Sequence, residues 1–527
     1  MPGPRALDTA FLQFIRARIE AAVVPVMEKI YRYPGVTFGA DFRPELKPLE
    51  QIVVYYDYQA CGISVLAAIL KKAPPDDPLR MRAQALFDRI LAQADHYRRQ
   101  IFNSEVAGAG RWTVPLRRLL FHVALAYRTL GTALREDQRN RLRELVEQQI
   151  PVVLEHNHQF HPGVKDIHLG VANNHGAIFM QGVYYCGKVF DHPEWSEQAR
   201  EFAERFYASG HDDGYWEEHT NAEREGGPSM IYTPLTAGCL FDVLEGHVQP
   251  REKFVRAGRL FRTFLNDSYE MMPIADERTN THSRWSCYGL ALHALTPEGR
   301  TYVRDVLEEM DFAEETPESL AVIHHELELM QTGSGATPEN HIDGPRRITL
   351  PLGVLRRAPW TAGISALRAL NRTRAPNNDY ALDHQQMVYL AHAERGVLLS
   401  GFKSKRDPGF STFQIGADAY PVRTGWLTMT ADRAEARLNY ETFVANLRWE
   451  LPGGAGGPAR LMLAEISGRP VTTTLPITPA GLAALRTTAP FTPVDLPGFS
   501  PYTTRNAAET VPAIRFEWRN SLVLEFH

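Results

Sequence analysis

A chain of 527 residues is too long for one ordinary hydrophobic core, so two or more domains are expected. Hydrophobic residues make up 44% and charged residues 23%, the balance of a globular chain rather than a disordered or fibrous one. A net charge of −5 with no long basic run argues against nucleic acid as a partner, and no apolar run approaches the ~20 residues that cross a bilayer.

Met1-Pro2-Gly3-Pro4 lacks a basic stretch leading into an apolar one. A cytoplasmic location is therefore expected for the sequence as written, and a periplasmic or secreted one if a leader has been removed. Cys61, Cys186, Cys239 and Cys287 lie far apart without a CxxC pair and read as buried free thiols.

Taken in chain order, the first ~330 residues read as successive amphipathic helices. Ala83, Leu86, Phe87, Ile90, Leu91 and Ala94 recur at i, i+3, i+4, i+7, i+8 and i+11, and Leu142, Leu145, Val146 and Ile150 share one helical face. Further helical stretches lie near 9–31, 47–72, 112–131, 167–190, 195–208, 229–246, 250–267, 296–310 and 315–331. Such a series buries its apolar faces by closing into a ring. Residues 331–338, Gln-Thr-Gly-Ser-Gly-Ala-Thr-Pro, have linker composition. Beyond them come short β-rich runs at Met387–Ala391, Gly396–Phe402, Arg460–Ile466 and Ser521–Phe526. Helices followed by strands, without alternation, predict an α+β multidomain chain. The expected division is residues 1–335 helical, 336–350 linker and 351–527 an antiparallel β domain.

Three polar clusters stand out in the helical half. The first is Asn173-Asn174-His175, two poor helix formers inside a helical stretch, which also reads as a local helix break. The second is Asp213-Gly214-Tyr215-Trp216-Glu217-Glu218-His219, followed by Gly227-Pro228 and then Tyr232. Asp-Gly predicts a turn, Pro228 the first position of a helix, and Tyr232 a site about one turn further in; a core tyrosine is the alternative. The third runs from Arg278 to Arg284 and contains Asn280, His282 and Ser283; a solvated loop is the alternative.

Together the clusters hold the parts for abstracting the C5 proton of a uronic acid. Asn and His donors on the carboxylate stabilise an enolate-like intermediate, and Arg grips the carboxylate through two hydrogen bonds. A tyrosine, acting as phenolate, takes the C5 proton and returns it to the leaving oxygen. Trp112, Tyr184, Tyr185, Trp216, Trp285 and Tyr288 lie nearby in sequence, most of them read as core.

These residues resemble the (α/α)-toroid polysaccharide lyases: the hyaluronate, chondroitin AC and xanthan lyases, heparinase II/III-like enzymes and toroidal alginate lyases. Asn173-Asn174-His175 is similar to their carboxylate-neutralising segment. Asp213-Gly214 with Tyr232 downstream is similar to their Asp-Gly segment, His and catalytic Tyr. Arg278 and Arg284 resemble the ends of an Arg-Gly-Arg-x-Ile-Ser-Arg stretch in which Asn280 replaces the middle Arg. In the second half, Lys403-Ser404-Lys405-Arg406, Gly425-Trp426, Tyr440 and Trp449-Glu450-Leu451-Pro452-Gly453 resemble β-domain elements of the hyaluronate-lyase type. The resemblance covers about residues 50–460.

It implies an incomplete (α/α) toroid followed by a β-sandwich, and metal-independent β-elimination on an acidic polysaccharide or oligosaccharide with no cofactor. The implied catalytic residues are Tyr232, His219, His175, Asn174 and Arg284. The implied substrate-binding residues are Asn173, Arg278, Trp112, Trp216, Glu217, His282 and Trp285. A glycoside hydrolase on the same fold, using carboxylates among Asp57, Asp213, Glu217, Glu218 and Glu225, stays open, as does a non-catalytic glycan-binding protein.

Overall fold

The computed structural model describes residues 4–30, 59–102, 117–156, 173–217, 227–230, 232–275, 287–368, 386–402, 408–416, 418–419, 422–440, 442–454, 456–497 and 510–527. The chain forms two compact units: Met1–Gly210 with Leu235–Val255 and Cys287–Ala336, and His211–Pro234 with Arg256–Ser286 and Thr337–His527.

The helices in chain order are α1 (Thr9–Ile30), α2 (Ile63–Lys72), α3 (Pro78–Phe102), α4 (Arg117–Leu130), α5 (Glu136–His156) and α6 (Asn173–Val189). They continue with α7 (Pro193–Ser209), α8 (Tyr232–Val243), α9 (Glu252–Thr263), α10 (Leu290–His293), α11 (Pro297–Glu309) and α12 (Pro317–Glu326). Helices α11 and α12 start as their sequences dictate. Pro occupies the first position of each, and Thr296 and Thr316 cap them by accepting from the amides of Gly299 (3.2 Å) and Ser319 (3.0 Å). In α3 all six residues of the apolar pattern, from Ala83 to Ala94, are buried, and so are Leu142, Leu145, Val146 and Ile150 in α5.

Within the first unit α2 packs on α4, α4 on α6, and α6 on α7. The last helix, α12, packs on both α1 and α2, so the series returns to its beginning. The segment with linker composition is tied to this unit rather than loose. Leu7 and Gly333 exchange backbone hydrogen bonds of 3.0 and 2.8 Å, and the Ala336 amide donates to Pro297 at 2.9 Å. A Cβ at Gly335 would lie 2.1 Å from the Arg5 carbonyl, so that glycine permits close approach of two backbones.

Among the described residues of the second unit the strands form three antiparallel sheets. The first is β1 (Gly344–Arg347), β2 (Leu352–Arg357), β3 (Trp360–Ser365), β4 (Val388–His392) and β5 (Gly396–Leu399), in that order. Short β6 (Gln414–Ile415) and β7 (Asp418–Ala419) precede β8 (Thr424–Met429), β9 (Arg433–Asn439), β10 (Val444–Glu450), β11 (Ala459–Glu465) and β12 (Val471–Pro476). Helix α13 (Pro479–Ala484) leads to β13 (Leu485–Arg486), β14 (Phe491–Pro497), β15 (Thr510–Trp518) and β16 (Ser521–Phe526). The second sheet has the order β13-β16-β11-β10-β9-β8 and the third β14-β15-β12-β6-β7.

Strands β9 and β10 alternate strictly between buried and open positions. Ala434, Ala436, Leu438, Ala445, Leu447 and Trp449 thus face a core shared with Leu355, Trp360 and Ile364 of the first sheet. The Trp449 indole N–H donates to the Gly363 carbonyl at 3.2 Å. Polar anchors hold residues 256–275 in this unit. Buried Arg262 makes a two-pronged ion pair with Glu339 (2.5 and 2.7 Å), and Arg356 donates to the carbonyls of Thr263 and Leu265, each at 2.7 Å. Among the described residues no helix is long and apolar enough to cross a membrane.

Candidate active site

Helix α6 opens on the first polar cluster. Asn174 is 3% exposed, His175 is half-buried, and the Asn174 Oδ1 accepts from the His175 amide at 3.0 Å. The first turn of a helix has amides without intrahelical acceptors and a partial positive charge. The position favours an anionic group nearby. Asn173 is the first residue of this helix.

The Asp-Gly segment is a turn, as its sequence predicts. Gly214 has φ +89° and donates to the His211 carbonyl at 3.0 Å, and the His211 amide donates to Tyr215 at 2.9 Å. The Asp213 carboxylate accepts from the Thr349 amide at 2.8 Å. The His211 ring stacks on Tyr215, centroids 4.2 Å apart, and its Nε2 lies 2.8 Å from Glu217 Oε1. Trp216 and Glu217 are both buried, at 2% and 3% exposed.

Helix α8 begins at Tyr232, four residues later than the first helical position expected at Pro228. Ahead of it, the Ser229 hydroxyl accepts from the Tyr232 amide at 3.4 Å, and the Ser229 carbonyl accepts from the Thr233 amide at 2.7 Å. Tyr232 is half-buried in the first turn.

Asn173, Asn174 and His175 belong to the first unit, and Trp216, Glu217 and Tyr232 to the second. Trp112, His219, Arg278, His282, Arg284 and Trp285 lie outside the described residues, as do Asp57, Glu218 and Glu225.

Further along the same helices lies a polar cluster that the sequence reading passed over. Asp242, near the end of α8, is buried. It accepts from Gln181 Nε2 (2.8 Å) and the Tyr185 hydroxyl (2.6 Å) of α6, and pairs with His325 Nε2 (2.9 Å) of α12. Burial opposes the charge on Asp242, but His325 and the three hydrogen bonds prevail and hold its carboxyl below the usual range. Burial likewise opposes charge on His325, and Asp242 overcomes it, so the imidazole is raised. Next to it, burial pushes Glu326 up to about 7 against the amides of Gly289 (2.5 Å) and Ala291 (2.8 Å), which donate to its carboxylate. Burial takes His122 down to about 3, with Ser64 Oγ 3.0 Å from its Nδ1. One sequence signal marked this cluster: Asp242 is the sole charged residue in the apolar run Tyr232–Val243.

Tyr184 and Tyr185 are buried, while Tyr288 joins Arg118 and Glu318 in a hydrogen-bonded group. The four cysteines are free, and Cys61, Cys186 and Cys239 are buried. Among the described residues no group of three or more His, Cys, Asp or Glu is placed to hold a metal ion.

The sequence matches no family model and no curated protein. Solved structures do match. The chondroitin AC lyase of Streptomyces coelicolor A3 aligns over 100% of this chain and 80% of its own, with a TM-score of 0.56 and 14% identity. Heparinase III aligns over 97% and 84%, with a TM-score of 0.58 and 11% identity. A Paenibacillus xanthan lyase aligns over 98% of this chain and 57% of its own, with a TM-score of 0.55 and 10% identity. The chain therefore has the α+β fold of the (α/α)-toroid polysaccharide lyases.

Proposed function

We propose that this chain is a polysaccharide lyase that cleaves a uronic-acid-containing glycan by β-elimination, leaving a 4,5-unsaturated uronate end. The observation that carries the reading is the buried Asn174 in the first turn of α6, on the fold shared with those lyases. A helix N-terminus with an amide side chain and a half-buried imidazole is suited to a carboxylate.

In the proposed reaction Asn174 and His175 hydrogen-bond the uronate carboxylate, with Arg284 as its ionic partner. Tyr232 removes the C5 proton. The electron pair of the C5–H bond forms the C4–C5 double bond, the C4–O4 bond breaks, and the leaving oxygen receives the proton from Tyr232. His219 assists the tyrosine, and Asn173, Arg278, Trp112, His282 and Trp285 bind sugar rings around it, while Trp216 and Glu217 are buried. No metal or cofactor takes part.

One observation favours a second reading, hydrolysis: Glu217 is buried and held by His211, as a positioned carboxylate would be. Absorbance at the enoate band separates the two. A panel of uronic polysaccharides should yield an absorbing product with at least one member. Reducing ends without that absorbance would establish hydrolysis, and neither signal would leave a binding protein.

A further inference from the structure

The second sheet of the β-rich unit turns an open face outward, and that face ends in a basic groove. The groove has a volume of about 800 Å³ and lies against the Leu451-Pro452-Gly453 turn. Three guanidinium groups line it, from Arg357, Arg433 and Arg460, against the carboxylates of Asp432 and Glu450. Several of these groups are already engaged. Arg357 donates to the Leu451 carbonyl at 3.0 Å, Arg460 pairs with Glu525 at 2.7 Å, Glu450 pairs with Arg448 at 3.2 Å, and Asp432 accepts from the Thr430 hydroxyl at 2.9 Å. The Arg433 side chain makes no hydrogen bond or ion pair among the described residues, although it faces Glu450 across the β9–β10 register.

Four residues along β9, on the same face, Arg437 is likewise exposed and without a polar partner among the described residues. The two arginines are roughly 13 Å apart at the rise of a strand. Directly opposite Arg437, on edge strand β8, stands Trp426, 56% exposed. A cross-strand pair of this kind brings an aromatic face and a guanidinium side by side. The outward positions of the sheet carry five arginines against three glutamates, whereas the whole chain has a net charge of −5. A local surplus of positive charge, an open indole and two unpaired guanidiniums in line suit a ligand with sugar rings and repeated negative charges.

We propose that this groove and the Arg433–Arg437–Trp426 row form a second binding site for an anionic polysaccharide chain, separate from the residues assigned to catalysis. The occupant rests on the lyase reading, because the chain it holds is the polymer being cleaved. Trp426 stacks on a sugar ring, Arg437 meets that ring's carboxylate or sulfate, and Arg433 meets an anionic group further along in the groove. The site retains polymer and leaves turnover of short fragments untouched.

The test is affinity electrophoresis of the full chain through gels containing chondroitin sulfate, with dextran gels as the neutral control. Wild type should be retarded by chondroitin sulfate alone. Arg433→Ser/Arg437→Ser and Trp426→Ala should each weaken that retardation at least about five-fold, and the double arginine variant should flatten its salt dependence. All three positions are exposed, so unfolding temperatures should stay near that of wild type. Equal retardation of wild type and both variants, or no retardation of wild type, overturns the proposal. The two readings fail separately. Unsaturated product with unchanged retardation in the variants removes this site and keeps the lyase. Loss of retardation in the variants, with no unsaturated product from any glycan, keeps the site and removes the lyase.

Discussion

Asp242 Oδ2 and His325 Nε2 lie 2.9 Å apart in the interior of the first unit, and that pair joins α8 to α12. The same carboxylate takes hydrogen bonds from Gln181 and Tyr185, so one buried anion connects three helices. Two of them, α6 and α8, begin at Asn173 and Tyr232. Removing one partner of a buried pair leaves the other uncompensated. Asp242→Asn should cost about 3 kcal/mol of unfolding free energy, read by denaturant titration. A variant as stable as wild type would show that the hub contributes nothing.

The cluster also sets a pH dependence. His325 is raised, so its contribution is complete below its ordinary value near 6.5 and is lost as pH climbs through the raised one. Glu326, pushed up to about 7 from an ordinary 4.5, works in the same direction: its share is complete below 4.5 and is lost through about 7 as the buried carboxyl is forced to ionise. Asp242 is depressed, so its share is lost only on acidification below the ordinary carboxylate range. The unfolding temperature should therefore fall as pH rises from about 4.5 through about 7, with the His325 share of the fall coming above 6.5, and Glu326→Gln should show a smaller fall between about pH 4.5 and about pH 7. A flat wild-type profile there, or an identical slope in the variant, contradicts the assignment.

Gly214 has φ +89°, and a Cβ there would sit 2.3 Å from the Ala257 amide nitrogen. Gly214→Ala meets both backbone strain and a clash with main chain that cannot swing away. It should destabilise by about 2 kcal/mol or more. The turn it closes precedes Glu217, so activity at low temperature should fall with it. Calorimetry showing no change in unfolding temperature would mean that the turn relaxes freely.

Much of this architecture was legible in the chain. The six-residue apolar pattern from Ala83 to Ala94 lies wholly within α3 and is wholly buried, because one helix face must leave water whatever it packs on. The alternation in β9 and β10 carries the same information with period two. Asp242 was marked only as a lone charge in an apolar run, and its partners were not legible, since they stand 57, 61 and 83 residues away and no local pattern links them. Composition also misled at Gly333–Ala336, where a linker-like run is hydrogen-bonded in place. At Pro228 the helix-start signal fell short, since the helix begins at Tyr232.

Asn174 offers a direct test of the proposed enolate stabilisation. It is buried at the head of α6, and its Oδ1 already accepts from the His175 amide, which leaves its NH₂ as the donor toward a carboxylate. Asn174→Ala should lower kcat about 10²–10³-fold, the scale for losing one donor where negative charge develops. Asn174→Asp keeps the acceptor for the His175 amide but replaces the donor with a like charge and should do no better. A variant with wild-type kcat would move carboxylate neutralisation to other residues.

The sharpest comparison is between Tyr232 and Glu217, since the two proposed reactions assign the proton to different groups. Tyr232→Phe keeps the ring in the first turn of α8 and deletes the hydroxyl that carries the proton in β-elimination. Under the lyase reading it should lower kcat at least ~10²-fold with KM little changed, because binding does not need the proton carrier. Glu217→Gln keeps the side-chain volume and one acceptor for His211 but removes the charge. It should lower kcat far less under the same reading, and abolish turnover if Glu217 is the acid or base of a hydrolase. Both variants are to be measured by enoate absorbance and by reducing ends on the same polysaccharide. An active Tyr232→Phe beside an inactive Glu217→Gln would reject elimination in favour of hydrolysis. The opposite pattern, with absorbance tracking reducing ends in wild type, assigns the C5 proton to Tyr232.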